Sequence, residues 1–570
     1  MQRPAASAGA HAAGSGSGDP TPVSQFFIAA SASLEERRPR TLKHGDTFAV
    51  FDHNGDALAG RGSPEGLYHR DTRHLSHFCL TIEGVRPLLL SSTLRDDNAA
   101  LTCDLTNPDL TSAGQPGIEH DLIHIRRSRF LWQGAAFERL AIRNFDQQRH
   151  RIRLSVQFAA DFADLFEVRG NRRSRRGVLH PAEISADCVT LAYTGLDDVR
   201  RQTRIRFDPQ PGRLTAAEAL YELDLDPVAI RLTFIEIRCD RRKLAESGRR
   251  GFFLALRDSR RALRSSVSRA ASLATSNEIF NEAIRRSVSD LYMLVTHTPE
   301  GPYPYAGIPW FSAAFGRDAL ITALQTLWLD PSIARGVLRF LATNQASERD
   351  SAADAEPGKI LHELRYGEMA ELGEVPFRRY YGSIDSTPLF VMLAGAYLER
   401  TGDLQTIRAL WSNIEAALDW IEADGDRDGD GFVEYGRRTK EGLANQGWKD
   451  SEDSVFHADG ALAKGPIALV EVQAYVFGAW KAAALIGKHL GNPEMADLFD
   501  AKARALAQRF DEAFFDVELG TYVPALDGDK RPCRVRTSNA GHALFAGIAK
   551  PERAARVVKT LMASSSFCGW

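Results

Sequence analysis

The period of the hydrophobic residues changes once along this chain, near Ser276, and that change constrains the architecture more than any other feature. Before it, segments such as HFCLTIEG, IHIRRSRFLW, FERLAIRNF, HRIRLSVQF and RLTFIEIRC alternate apolar and polar residues, with Gly, Asp, Asn or Pro between them. Period two with polar turns, and no long amphipathic helix between, predicts an N-terminal antiparallel β-sandwich over residues 41–240. After it the period is 3.6. Helices are expected at 277–296, 317–329, 331–344, 385–401, 404–423, 465–490, 493–514, 538–549 and 551–563, many opened by Ser, Asp or Pro.

Two stretches fit neither pattern. Residues 1–40 are rich in Ala, Gly, Ser and Pro, bury too little apolar surface to offset the entropy of ordering, and read as a disordered tail. Residues 241–275 are Arg-rich, as is the NRRSRR tract at 171–176, and read as a solvated linker or interdomain face. With 71 Lys and Arg against 74 Asp and Glu, the net charge of −3 supplies no field that gathers nucleic acid or anionic lipid, so an uncharged substrate fits better. No 18-residue apolar run marks a membrane span and no apolar core marks a secretory signal. The six cysteines, Cys79, Cys103, Cys188, Cys239, Cys533 and Cys568, have no tight spacing for zinc or a redox couple and read as reduced thiols, which points to the cytoplasm.

The unusual residue chemistry lies in long loops between the predicted helices, where structureless connections are usually functional. In PYPYAGIPWFSAAFGRDALI, Tyr303, Tyr305, Trp310 and Phe311 precede Arg317 and Asp318. Aromatic faces beside charged hydrogen-bonding groups suit a pyranose, although the same string describes a buried aromatic loop with Asp318 at a helix start. In KILHELRYGEMAELGEVPFRRYYGSIDSTPLF, His362, Glu363, Tyr380, Tyr381 and Asp385 are binding candidates. DGDRDGDGFVEYGR resembles a calcium loop but fails where an EF-hand needs a bidentate Glu: counting twelve from Asp424 reaches Tyr435, and from Asp426 reaches Arg437. An irregular cation site on Asp424 to Glu434 and a plain Asp/Gly turn both stay open, and no metal ligand set or cofactor is assigned. In NQGWKDSEDSVFHADG, Asp450 and Asp453 follow Trp448 and Lys449, ahead of a helix bearing Glu471. A carboxyl against an apolar wall has the raised pKa that a general acid for glycoside cleavage requires.

Taken in order, GIPWFSAAFGRDALI, RYYGSIDSTPLF, GWKDSEDS and ALVEVQAYVFGAW resemble the glucosidase half of glycogen debranching enzymes, the amylo-α-1,6-glucosidases, and more loosely the (α/α)6-barrel glycosidases. The string FAVFDHNGDALAGRGSPEGLYHRDTRHLS resembles the β-rich domain that precedes the barrel in bacterial and archaeal debranching-type proteins. The resemblance implies an inverting glycosidase acting on an α-glucan or a small α-glucoside. Asp450 is its general acid, with Asp453 the rival. Trp310, Arg317, Asp318, Tyr381, Asp385, Trp448, Lys449 and Glu471 line its pocket. A barrel of this kind has twelve helices, and about nine are predicted here. The resemblance therefore implies a barrel incomplete at its C-terminal side, with the general base beyond Trp570. A carbohydrate-binding or scaffold protein without hydrolysis, and an (α/α)6 glycosidase of different sugar specificity, are the competing expectations.

Overall fold

A computed structural model describes residues 39–60, 62–95, 97–110, 117–239 and 246–567. The tail expected at 1–40 lies outside these residues except for its last two. Alternation in the first half produces two facing antiparallel sheets. One has eight strands, running from the edge strand Val178–Ile184 through Cys188–Thr194, Arg200–Asp208, Ile230–Arg238, Ala135–Asn144, Ile123–Trp132 and Leu101–Thr106 to Leu88–Leu94. The other has five, centred on His150–Ala159 between Glu218–Leu225 and His77–Ile82. Their inner faces meet in one core, to which Ile125, Leu140, Ile205 and Ile237 come from the first sheet and Phe78, Leu80, Leu154 and Val156 from the second. Period two is thus satisfied by a sandwich with one dry interior. A further four-stranded sheet, Arg40–His44, Thr47–Phe51, Gly66–His69 and Thr72–Leu75, borders the helical half.

Within the Arg-rich segment, Gly248–Val267 is a 20-residue helix. It seats Phe252 and Ala255 against Phe130, Phe137 and Phe234 of the large sheet, while its arginines face outward. The stretch read as a linker therefore contains a helix docked on the sandwich: a narrow apolar stripe is enough to anchor it.

The second half is a succession of helical hairpins. Gly316–Thr326, Ser386–Thr401, Val470–Leu490 and Ala540–Ala546 pack one against the next, and each carries an outer partner: Pro331–Thr343, Trp411–Trp420, Pro493–Phe514 and Pro551–Leu561 respectively. The second and third inner helices are apolar around most of their circumference, as helices covered on all sides must be. Gly395 lets two of them touch, since a Cβ there would lie 2.5 Å from the Cβ of Ala482. Two predicted helices differ in detail. The one expected at 404–423 is broken at Leu410 into Leu404–Ala409 and Trp411–Trp420, and ends in a π-turn over Ile421–Gly425. The one expected at 538–549 is only Ala540–Ala546, stopped by Gly547 at φ +76°, a left-handed C-cap.

Candidate active site

The four inner helices begin on the same side. Arg317 and Asp318 open the first, Asp385 precedes the second, Glu471 is the second residue of the third, and Asn539 and His542 stand at the start of the fourth. Helix starts leave backbone N–H groups unpaired and carry partial positive charge, so acidic residues are stabilised there. Over these starts lies the loop carrying Trp448, Lys449 and Asp450. It is held by Asn445, whose amide donates to Ser451 O (2.6 Å) and Ser454 Oγ (3.1 Å) and whose Oδ1 accepts from the Tyr435 hydroxyl (2.6 Å). Gly447 permits the crossing, because a Cβ would meet Leu469 Cδ1 at 2.3 Å. Between loop and helix starts is a cavity of about 370 Å³ lined by Tyr305, Arg317, Asp318, Trp448, Tyr475 and His542, among others.

Arg317 organises the charges. Its Nη1 donates to both oxygens of Asp385 (3.1 and 3.3 Å) and its Nη2 to Asp450 Oδ2 (3.4 Å). Asp385 is fully buried and also accepts from Ser383 Oγ at 2.5 Å, so it positions Arg317 rather than lining the cavity. Asp450 keeps about half of its side chain exposed. Partial burial, together with the negative charges of Asp318 and Asp385, raises its pKa against the opposing pull of Arg317. Burial likewise raises Asp318. Glu471 is buried and pushed up to about 7, chiefly by loss of solvent. Its Oε2 accepts from Asn539 Nδ2 (3.0 Å) and its Oε1 has no hydrogen-bond partner. Lys449 places its ammonium 5.1 Å from the Trp448 ring centre, and burial lowers its pKa while Glu471 opposes that. Neither Asp450 nor Asp453 lines this cavity: Asp450 adjoins it through Arg317, and Asp453, three residues on, is exposed.

Several residues expected to line a sugar site have other partners. The backbone carbonyl of Trp310 accepts from Arg365, its ring packs beside Phe48, Val50 and Tyr68 of the four-stranded sheet, and Arg169 stands 5.9 Å from it. Phe311 is half exposed beside the same arginine. His362 is enclosed between Phe315 and Tyr380, and burial with nearby Arg317 and Lys359 keeps it neutral. Glu363 pairs with Arg365 at 2.6 Å. The Tyr380 hydroxyl donates to Asp354 (2.7 Å) and accepts from Leu443 N–H (2.8 Å), and that of Tyr381 donates to Asn344 O (2.8 Å). None of these six lines the cavity of about 370 Å³. The loop from Lys359 to Tyr381 packs against the β half and, with Tyr366, Arg379 and Tyr381, borders a separate open cavity of about 990 Å³.

Sequence reasoning passed over Tyr475, Asn539 and His542. The Tyr475 hydroxyl meets His542 Nδ1 at 2.7 Å, and the His542 ring lies 5.6 Å from that of Trp448. Tyr475 follows Glu471 by four residues and His542 follows Asn539 by three, so the signal was helical spacing from an acid already noticed and from a helix start.

Residues 42–233 match the N-terminal domain of some glycogen debranching enzymes, and residues 313–569 match the mannosylglycerate hydrolase MGH1-like glycoside hydrolase domain. The helical half carries a glycoside hydrolase domain. The fold agrees: a structure assigned as a kojibiose phosphorylase from the human microbiome is 11% identical and superposes with a TM-score of 0.53, covering 85% of this chain and 69% of that one. A bacterial glucoamylase complexed with acarbose, also 11% identical, aligns over 84% of this chain and 71% of its own with a TM-score of 0.49. Among curated proteins no sequence match is found. No described helix of this glycosidase is long and apolar enough to cross a membrane.

Proposed function

We propose that this glycosidase cleaves a terminal α-glucosidic bond, at a glucan chain end or in a small α-glucoside, with Asp450 protonating the departing oxygen. The observation that carries this reading is the placement of Asp450. It is a partly exposed carboxyl whose pKa burial, Asp318 and Asp385 raise, and it accepts from one nitrogen of Arg317, which together with Trp448 lines the aromatic-walled cavity. A general acid needs a raised pKa and access to substrate, and the raised pKa and half-exposed side chain of Asp450 support that role. Asp453 is exposed, and it is Asp450 that Arg317 holds. A space of about 370 Å³ holds little more than one sugar ring, which favours a chain end over the interior of a glucan. Trp448, with Tyr475 and His542 behind it, offers the flat face that a pyranose needs.

The proposed course is inverting. Water attacks the anomeric carbon from the face opposite the acid and gives up a proton to solvent, the bond to the leaving oxygen breaks, the Asp450 proton goes to that oxygen, and the Asp450 carboxylate is reprotonated from solvent. We place the activity in the cytoplasm, a reading supported by the buried thiols of Cys79, Cys103, Cys188 and Cys533.

Glucose release from limit dextrin and from small α-glucosides tests the reading, with the first-formed anomer followed by NMR. Asp450→Asn is expected to lose about 10²- to 10⁴-fold in kcat, and Asp453→Asn to stay near wild type. Full activity in Asp450→Asn refutes the assignment. Sugar binding without turnover in the wild type favours a carbohydrate-binding protein instead.

A further inference from the structure

The acidic loop that breaks the calcium pattern holds a cation of the protein's own. Oxygens of Asp426, Asp428 and Asp430 lie within 4.8 Å of one another, close enough to share one positive centre. Gly429 and Gly431, at φ +78° and +88°, fold the loop so that their N–H groups both reach Asp426 at 2.9 Å. Glu434 completes the ring from beneath: it is 1% exposed, one oxygen faces Lys530 and the other has no hydrogen-bond partner. Into this ring the Lys530 ammonium enters from a separate turn, 2.9 Å from Asp428 and 2.6 Å from Asp430, and bonded to Glu434. Lys530 has a left-handed backbone (φ +60°), a conformation that a non-glycine residue keeps when its surroundings hold it there. Asp430, Glu434 and Asp428 raise its pKa against the opposing effect of burial.

The ring joins two segments that grip the start of one inner helix. Val433 exchanges two hydrogen bonds with the Gln473 side chain (2.9 and 2.8 Å), two residues beyond Glu471. The Lys530 turn follows Ala525–Leu526, which pairs with Ala468–Leu469 at the entrance to the same helix. We propose that Lys530 is the built-in cation of this loop, occupying the place where a divalent ion would bind, and that the loop becomes a calcium site when the lysine is removed. The donor set supports this. Asp426, Asp428 and Asp430 stand at the first, third and fifth positions of a calcium loop, Gly431 at the sixth, the Phe432 carbonyl at the seventh and Glu434 at the ninth. Waters complete the roughly six to eight oxygens that calcium takes.

The test is thermal unfolding of the full chain in EDTA and in millimolar calcium chloride. The wild type is expected to have the same Tm in both, Lys530→Ala a lower Tm in EDTA that calcium raises by several degrees, and Asp430→Asn/Lys530→Ala a smaller calcium response. A calcium-dependent Tm in the wild type overturns the proposal, because the ion then competes with the lysine. So does a Lys530→Ala variant indifferent to calcium. Should Lys530→Ala fail to accumulate, Lys530→Gln, which keeps most of the stem without the charge, decides between the same outcomes. The readout is stability alone and stands independently of whether Asp450 is the acid.

Discussion

Replacing Arg365 with methionine tests how the two halves are held in register. Arg365 is fully buried, and its guanidinium donates to Glu363 Oε1 (2.6 Å), to Asp71 Oδ1 (2.8 Å) and to the Trp310 carbonyl (2.8 Å). Asp71 belongs to the β half, and its other oxygen accepts from Tyr366 N–H at 2.9 Å. Methionine fills a similar volume but removes the guanidinium that two enclosed carboxylates share, leaving Glu363 the weaker attraction of Arg169. Breaking a buried pair from one side costs about 3–5 kcal/mol, and the stranded Trp310 carbonyl adds about 1 kcal/mol that does not sum fully with it. A deficit of about 4–5 kcal/mol at pH 7 is therefore expected in urea unfolding. The deficit must shrink with acid. Burial already raises the Glu363 carboxyl against the pull of Arg365, and without Arg365 it rises further, so its contribution is intact at low pH and is lost as pH rises through the raised value. Asp71→Asn/Glu363→Gln/Arg365→Met removes the stranded charges and should recover most of the loss. A deficit below about 1 kcal/mol at pH 7, or one equal at pH 4 and pH 7, refutes the reasoning.

The remaining predictions concern other titrating groups. Glu471 has a folded pKa of about 7 against an ordinary value near 4.5, so its favourable contribution is complete below 4.5 and is lost as pH rises to about 7. Glu471→Gln should flatten that part of the stability profile by about 3 kcal/mol, read by unfolding at pH 4.5 and pH 8; an unchanged slope refutes the burial argument. Lys43 is buried, donates to Leu294 O (3.1 Å) and Thr296 Oγ1 (2.8 Å), and is lowered to about 7 by loss of solvent. Between pH 7 and the ordinary lysine value the unfolded chain binds the extra proton, so stability rises with pH there, and Lys43→Met should remove that rise. Tyr475→Phe, losing the bond to His542, is expected to reduce kcat with little change in Tm, since the ring still packs.

How much of this was legible depended on whether a residue's role is set by its neighbours in the chain or by distant ones. The period of two became a sandwich because alternation leaves a strand one apolar face, and the period of 3.6 became hairpins for the same reason. The Arg-rich segment misled because Phe252 and Ala255 carry the docking while the arginines dominate the composition. At the site, acidic residues at helix starts were visible, but a carboxylate there stabilises a helix whether or not it does chemistry. Only the structure shows that Asp318, Asp385, Glu471 and Asn539 stand at the starts of four successive inner helices that open on one side. Glu363 and Tyr380 looked like sugar ligands because polar and aromatic residues crowd their loop. Their partners, Arg365 with Asp71 from the β half and Asp354 with Leu443, come from segments up to about 290 residues away, and no local pattern announces such a pairing. Lys530 carries the same lesson in the opposite sense. The acidic loop announced a cation, and the cation arrived from a turn almost a hundred residues later, as part of the chain itself.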